Sequence, residues 1–189
     1  MNMWKCCLLL VLVLVSSCES EETRKAREIR EEKNRIEFSE KQRVRNKYIN
    51  NSLATGSTPY SYCFGGNQSC SKNGCSKIQV KTPSNSDVIV TIKNNGSVYR
   101  HAYIRAGSSY SFEFPNGTYQ AFFYYGKGWN PNKFMKKSSC GDLNGGFIES
   151  EHFGKDDKQT LNNSILSYEL ILQQNGNFRS KQSNSSEAF

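Results

Sequence analysis

Four cysteines and two histidines carry most of the covalent and acid–base chemistry open to the body of this 189-residue chain. Cys63, Cys70, Cys75 and Cys140 are separated by six, four and sixty-four residues. That spacing lacks the paired C-x2-4-C knuckles of common structural zinc sites. An even set suits two disulfides in an oxidising compartment, with three pairings open. His101 falls in a stretch of strand-like alternation, where it occupies a sheet face more readily than an active site. His152 has Glu149, Glu151, Asp156 and Asp157 nearby in sequence, so an acid–base or metal-binding group can be drawn there. No HExxH, GxSxG or regular metal spacing accompanies it. The expectation is therefore a non-enzymatic chain, with no catalytic residue, metal or cofactor assigned. An exported hydrolase-like enzyme using His152 is the alternative. Non-covalent recognition has a better candidate in Tyr125, Lys127, Trp129 and Asn130, within the run FFYYGKGWN. Tyr and Trp rings stack on sugars, while Lys and Asn bond to hydroxyls. The same aromatics can be core instead, since alternation buries either Phe122 and Tyr124 or Phe123 and Tyr125.

The chain's location is written at its start. Lys5 precedes an apolar run from Leu8 to Val15, which gives way to Ser16, Ser17 and Cys18. This is the charged, apolar, small-residue order of an export signal. It is too short for the ~20 apolar residues of a permanent membrane span. Val15-Ser16-Ser17-Cys18 resembles a bacterial lipobox, which implies that Cys18 receives a diacylglycerol and becomes the mature N-terminus, anchored rather than spanning. An ordinary secretory signal cut after Ser17 is the alternative. Parity supports the lipid: of seven cysteines, Cys6 and Cys7 leave with the signal, and lipidation of Cys18 leaves an even four. Glu19-Ser20-Glu21-Glu22 resembles the surface-export signal of lipoproteins in some Gram-negative phyla, implying an outer-membrane or cell-surface location. The same glutamates also suit a helix N-terminus.

Residues 19–50 hold ten Lys or Arg and eight Asp or Glu, with neither Gly nor Pro. Glu21–Lys25, Glu31–Arg35 and Glu37–Lys41 have the i,i+4 order that supports a helix. Ile29 and Ile36 are seven apart but Arg43 breaks the seam, so single helix and coiled coil stay open. Thirty helical residues at ~1.5 Å each make a spacer of ~45 Å. Asn50 to Pro59 then reads as linker.

The expected fold is mainly β, a small antiparallel β-sandwich preceded by a charged helical stalk. Its divisions are a signal peptide at 1–17, then lipidated N-terminus, stalk and linker at 18–58. The sandwich follows at 59–178, and a disordered tail at 179–189. Period-two stretches at 77–82, 87–93, 98–104, 110–114, 118–125 and 165–172 supply the strands, with Asn94-Asn95-Gly96 as a tight turn. Residues 126–164 read as a long irregular segment, which a bridge from Cys140 to the Cys63–Cys75 region would constrain. Ala106-Gly107 and Pro115-Asn116-Gly117-Thr118-Tyr119 follow a pair of alternating strands. In this, residues 87–125 resemble small bacterial β-sandwiches of the PEGA and carboxypeptidase-regulatory type, which implies a non-catalytic surface module and transfers no active site.

Charge narrows the partners. The formal net is +8, of which +5 lies in residues 51–189 as isolated Lys and Arg. No basic run suggests a nucleic-acid footprint. The expected partners are the membrane, through the lipid anchor, and an envelope protein or glycan, with no nucleic acid. A purely structural envelope lipoprotein is the remaining alternative.

Overall fold

The computed structural model describes residues 20–71, 74–171 and 181–189. The lipobox-like residues 15–18, and the end of the last expected strand at Leu172, lie outside them. The chain divides into two compact units, at residues 43 and 44. The polar stretch after Asn50, expected as linker, belongs to the second unit.

Helix α1 runs Glu21–Tyr48. Ser20 caps it: its hydroxyl oxygen accepts the Thr23 N–H at 3.2 Å. Glu21 and Glu22 occupy the first turn and Arg45 and Lys47 the last, each favoured by the helix dipole. Glu21 pairs with Lys25 at 2.9 Å as its spacing predicts. Glu31 instead meets Arg27, and Arg35 meets Glu32, so the charge ladder is shifted from the expected partners. None of the helix's residues is buried. Among the described residues, no helix is long and apolar enough to cross a membrane.

The second unit is mainly β, with two principal sheets. Short helix α2 (Ser61–Phe64) precedes β1 (Cys75–Lys81), β2 (Asp87–Asn94), β3 (Ser97–Ile104) and β4 (Ser109–Pro115). Then come β5 (Gly117–Ser138), β6 (Gly141–Lys155), β7 (Gln159–Leu161), β8 (Ile165–Glu169), β9 (Lys181–Gln182) and α3 (Ser185–Ala188). One sheet has the order β4-β1-β8, the other β3-β2-β5-β6-β9, with β7 paired to the start of β5. The β2–β3 turn is made by Asn95 and Gly96, with φ of 50° and 82°, the double positive φ that Asn-Gly supplies readily. The pattern is not wholly antiparallel: β8 runs parallel to β1, Lys77 opposite Ile165. A parallel partner needs a long crossover rather than a hairpin, and the chain from β1 to β8 provides one. Tyr119 closes the β4–β5 corner by donating its hydroxyl to the Pro115 carbonyl at 2.8 Å.

Two apolar cores flank the larger sheet. The first joins Ile78, Val80, Phe112 and Phe114 of the smaller sheet to Val88, Val90, Ile92, Phe123 and Tyr125 of the larger. The second lies on the opposite face and holds Ile89, Tyr103, Phe122, Tyr124, Trp129, Leu143 and Phe147, closed over by Tyr60, Ala188 and Phe189. Both alternation sets of the run 122–125 are therefore buried, where single-faced burial was expected. Residues 126–155, expected as irregular, form most of a long β5–β6 hairpin. Its glycines make room for rings. A Cβ on Gly126 would lie 2.3 Å from Phe147 Cβ, and one on Gly145 would lie 2.5 Å from Trp129 Cζ2. The described part of the tail is likewise ordered into β9 and α3, with Phe189 only 8% exposed. An apolar ring packed in a core offsets the chain entropy that a polar tail would keep.

The disulfides pair Cys63 with Cys140 and Cys70 with Cys75, at Cα separations of 5.4 and 6.0 Å. The first ties α2 to the β5–β6 turn, the long-range constraint expected of Cys140. The second clips the loop before β1.

Candidate functional site

A polar cleft opens where three turns and β5 meet at one end of the larger sheet. Its walls are Ile49–Ser52 after α1, Ser84–Asp87 before β2, Arg105–Ser108 between β3 and β4, and Lys127–Gly128 on β5. It encloses about 590 Å³.

Asp87 organises it. Its Oδ1 accepts the Ala106 N–H at 2.7 Å, and its Oδ2 accepts the Ser52 hydroxyl at 3.1 Å and the Tyr103 hydroxyl in a short bond. Burial first, and the bond to the carboxylate second, push the Tyr103 phenol well above its usual range, so it stays a donor. The 49–52 wall is fixed by a reciprocal clamp: Trp129 N–H donates to the Asn51 carbonyl at 2.8 Å, and Asn51 Nδ2 donates to the Trp129 carbonyl at 2.7 Å. Ser86 pins the opposite wall, its Oγ accepting the Gly126 N–H at 3.1 Å. Thr82 Oγ1 donates to the Arg105 carbonyl at 2.6 Å, fixing the 105–108 turn.

Onto this frame the chain places two exposed cations, Arg105 and Lys127. Neither side chain has an ion-pair partner among the described residues. The one carboxylate in the cleft already accepts three protein hydrogen bonds. Around them stand Asn50, Asn85, Ser84 and Ser108. The arrangement has donors in excess, suited to an anionic or hydroxyl-rich ligand.

The four residues expected to bind a ligand are not gathered. Lys127 lines the cleft. Trp129 is 3% exposed and packs among Tyr60, Tyr103 and Phe147 in the second core. Tyr125 is buried on the other face of the sheet, in the first core. Asn130 is half-buried, its Oδ1 accepting the Asn132 N–H at 3.0 Å. A ring enclosed by protein cannot stack on a sugar, so the aromatic part of that expectation is corrected. Residues 50–52 read as linker and Asp87 as the start of a strand, because Asn and Ser runs have the composition of any turn.

The histidine–carboxylate group does not converge either. His152 is exposed, opposite Tyr125 on the neighbouring strand. Glu149 meets Arg45 at 3.4 Å, and Glu151 binds both the Tyr124 hydroxyl and the Lys133 ammonium in short contacts. Asp156 accepts the Tyr168 hydroxyl at 2.8 Å, and Asp157 meets Lys181 at 2.6 Å. Among the described residues, no group of three or more His, Cys, Asp or Glu is placed to hold a metal. His101 is 1% exposed; its Nε2 accepts the Tyr60 N–H at 3.0 Å, and its ring stacks on Tyr60. Burial pushes its pKa down to about 4, with partial opposition from the Thr58 backbone. It is a neutral core residue.

No family model, curated protein or solved structure matches this chain significantly.

Proposed function

We propose that this chain is an exported lipoprotein anchored through Cys18, whose β-sandwich carries a non-catalytic binding site for an anionic envelope glycan. The observation that carries the reading is the pair Arg105 and Lys127 in one cleft, without carboxylate partners, above an Asp87 that already accepts three hydrogen bonds. Carboxylate or phosphate groups would meet the two cations, and sugar hydroxyls the Asn and Ser side chains. The lipobox-like residues and cysteine parity support the anchor. Burial of apolar residues from both sheets in one core supports the sandwich, and the turn pattern of residues 87–125 supports an accessory module of the PEGA type. The charged helix serves as stalk.

The test is binding of the soluble chain (residues 19–189) to polygalacturonate, with neutral dextran as control. Saturable binding to the anionic polymer alone is expected, weakened at least tenfold in Arg105→Ala/Lys127→Ala. Equal binding to both polymers, or no effect of the double variant, overturns the cleft assignment. For the anchor, Cys18→Ala should move the protein to the soluble fraction or leave an uncleaved precursor. Unchanged membrane association at the mature mass overturns it.

A further inference from the structure

A second surface, which includes Lys93 at the other end of β2 from Asp87, already holds a peptide. The segment Lys181–Phe189 lies against β5 and β6. It makes few backbone bonds to them: Lys181 and Gln182 pair with Lys155 and Gly154, and the Ser183 N–H donates to the Phe153 carbonyl at 3.2 Å. Side chains do the rest. Asn184 Oδ1 accepts the Glu187 N–H at 3.0 Å and starts the single turn of α3. Both Glu187 carboxylate oxygens accept from the Lys155 ammonium at 2.9 Å, while Lys93 donates to the Glu187 carbonyl. Two residues on, the Phe189 ring sits 4.9 Å from Tyr60, edge to face, and near Tyr124 and Phe153.

The groove's charge is not balanced by this occupant. Lys93, Lys136 and Lys155 all address the segment, and Lys158 lines the adjoining cavity of about 310 Å³, against one side-chain carboxylate, that of Glu187. Lys93 also lies 5.2 Å from the Phe122 ring centre, over the floor of that cavity. Burial, and after it the neighbouring Lys136, disfavour its charge, while Glu187 opposes them in part. A more acidic occupant would relieve that repulsion.

We infer that this groove is a docking site for an acidic peptide of a partner protein, carrying a carboxylate two residues before an aromatic ring, and that residues 184–189 fill it in cis. The chain's own segment supplies the template: capped turn, carboxylate on Lys155, ring against Tyr60. Tethering gives it a high effective concentration, so it masks the groove against weak competitors.

The probe is a fluorescein-labelled hexapeptide, Asn-Ser-Glu-Glu-Ala-Phe, added to the chain of residues 19–189. Glu187→Gln weakens the internal occupant, and the peptide is expected to bind this variant at least tenfold more tightly than the unmutated chain. Lys155→Glu in the same background should abolish binding, and replacing both peptide glutamates by Gln should weaken it at least fivefold. Hydrogen exchange on the unmutated chain tests the idea without a substitution: excess peptide should speed exchange of the amides of Glu187, Ala188 and Phe189. Equal affinity with and without Glu187→Gln, or unchanged exchange, overturns the proposal. A Glu187→Gln chain that dimerises and ignores the peptide also overturns it, assigning the groove to a second copy.

Discussion

His101 should make this domain acid-sensitive well above the range in which its carboxylates titrate. In the folded chain its pKa lies at about 4, against an ordinary 6.5, because the imidazole is enclosed at 1% exposure among Tyr60 and Phe64. Its Nε2 must also stay unprotonated to accept the Tyr60 N–H. The folded value is the depressed one. Stability from the neutral ring is thus complete above pH 6.5, declines as the unfolded chain takes up a proton that the fold refuses, and is fully lost below pH 4. At roughly 1.4 kcal/mol per pH unit the loss is about 3 kcal/mol, a large share of the 5–15 kcal/mol typical of a domain. The assay is urea unfolding at pH 7, 6, 5 and 4 for the unmutated chain and for His101→Gln, whose amide can still accept the Tyr60 N–H but cannot titrate. His101→Gln will be less stable at pH 7 because its packing is poorer. Its disadvantage should shrink by about 3 kcal/mol between pH 7 and pH 4. Glu113, Glu169 and Glu187, held below the usual carboxylate range by lysine partners, titrate alike in both proteins and cancel. Parallel pH profiles, within about 0.5 kcal/mol, would refute the assignment of His101 as a buried neutral group.

The two disulfides should differ in worth. Cys63–Cys140 spans 77 residues and Cys70–Cys75 spans 5, so chain entropy predicts losses of about 4 and about 2 kcal/mol for the paired serine variants, read from denaturant midpoints. Gly126→Ala should destabilise by about 1–3 kcal/mol by overpacking, since its new methyl meets Phe147 Cβ at 2.3 Å; an unchanged melting temperature would show that the strands yield freely. Asp87→Ala strips the Ala106 N–H of its acceptor and leaves the Tyr103 hydroxyl only the Ser52 Oγ at 3.3 Å. It should lower stability by about 2–4 kcal/mol and weaken polygalacturonate binding by loosening the 105–108 turn, whereas Asp87→Asn should recover part of both.

Local rules determined much of this protein before any contact was known. Helix and tight-turn signals are read within a few residues, so the charged helix and the Asn95-Gly96 turn needed only the chain itself. Period-two runs located the strands from Cys75 to Tyr125 for the same reason. The sequence could not say how many faces of a strand are covered. Phe122, Phe123, Tyr124 and Tyr125 are apolar at every position, and only the arrival of Tyr60 and Phe189 on the second face turns all four into core. Nor could it separate the glycines of a loop from glycines that let a ring cross a backbone, as Gly126 and Gly145 do beneath Phe147 and Trp129. The cleft was hidden most deeply. Asn51, Asp87, Arg105 and Lys127 lie on four separate segments, and each alone has the composition of an ordinary turn or exposed strand. Their meeting is a long-range event, set by Asp87 accepting donors from residues up to 35 positions away in sequence, and tertiary structure alone decides it.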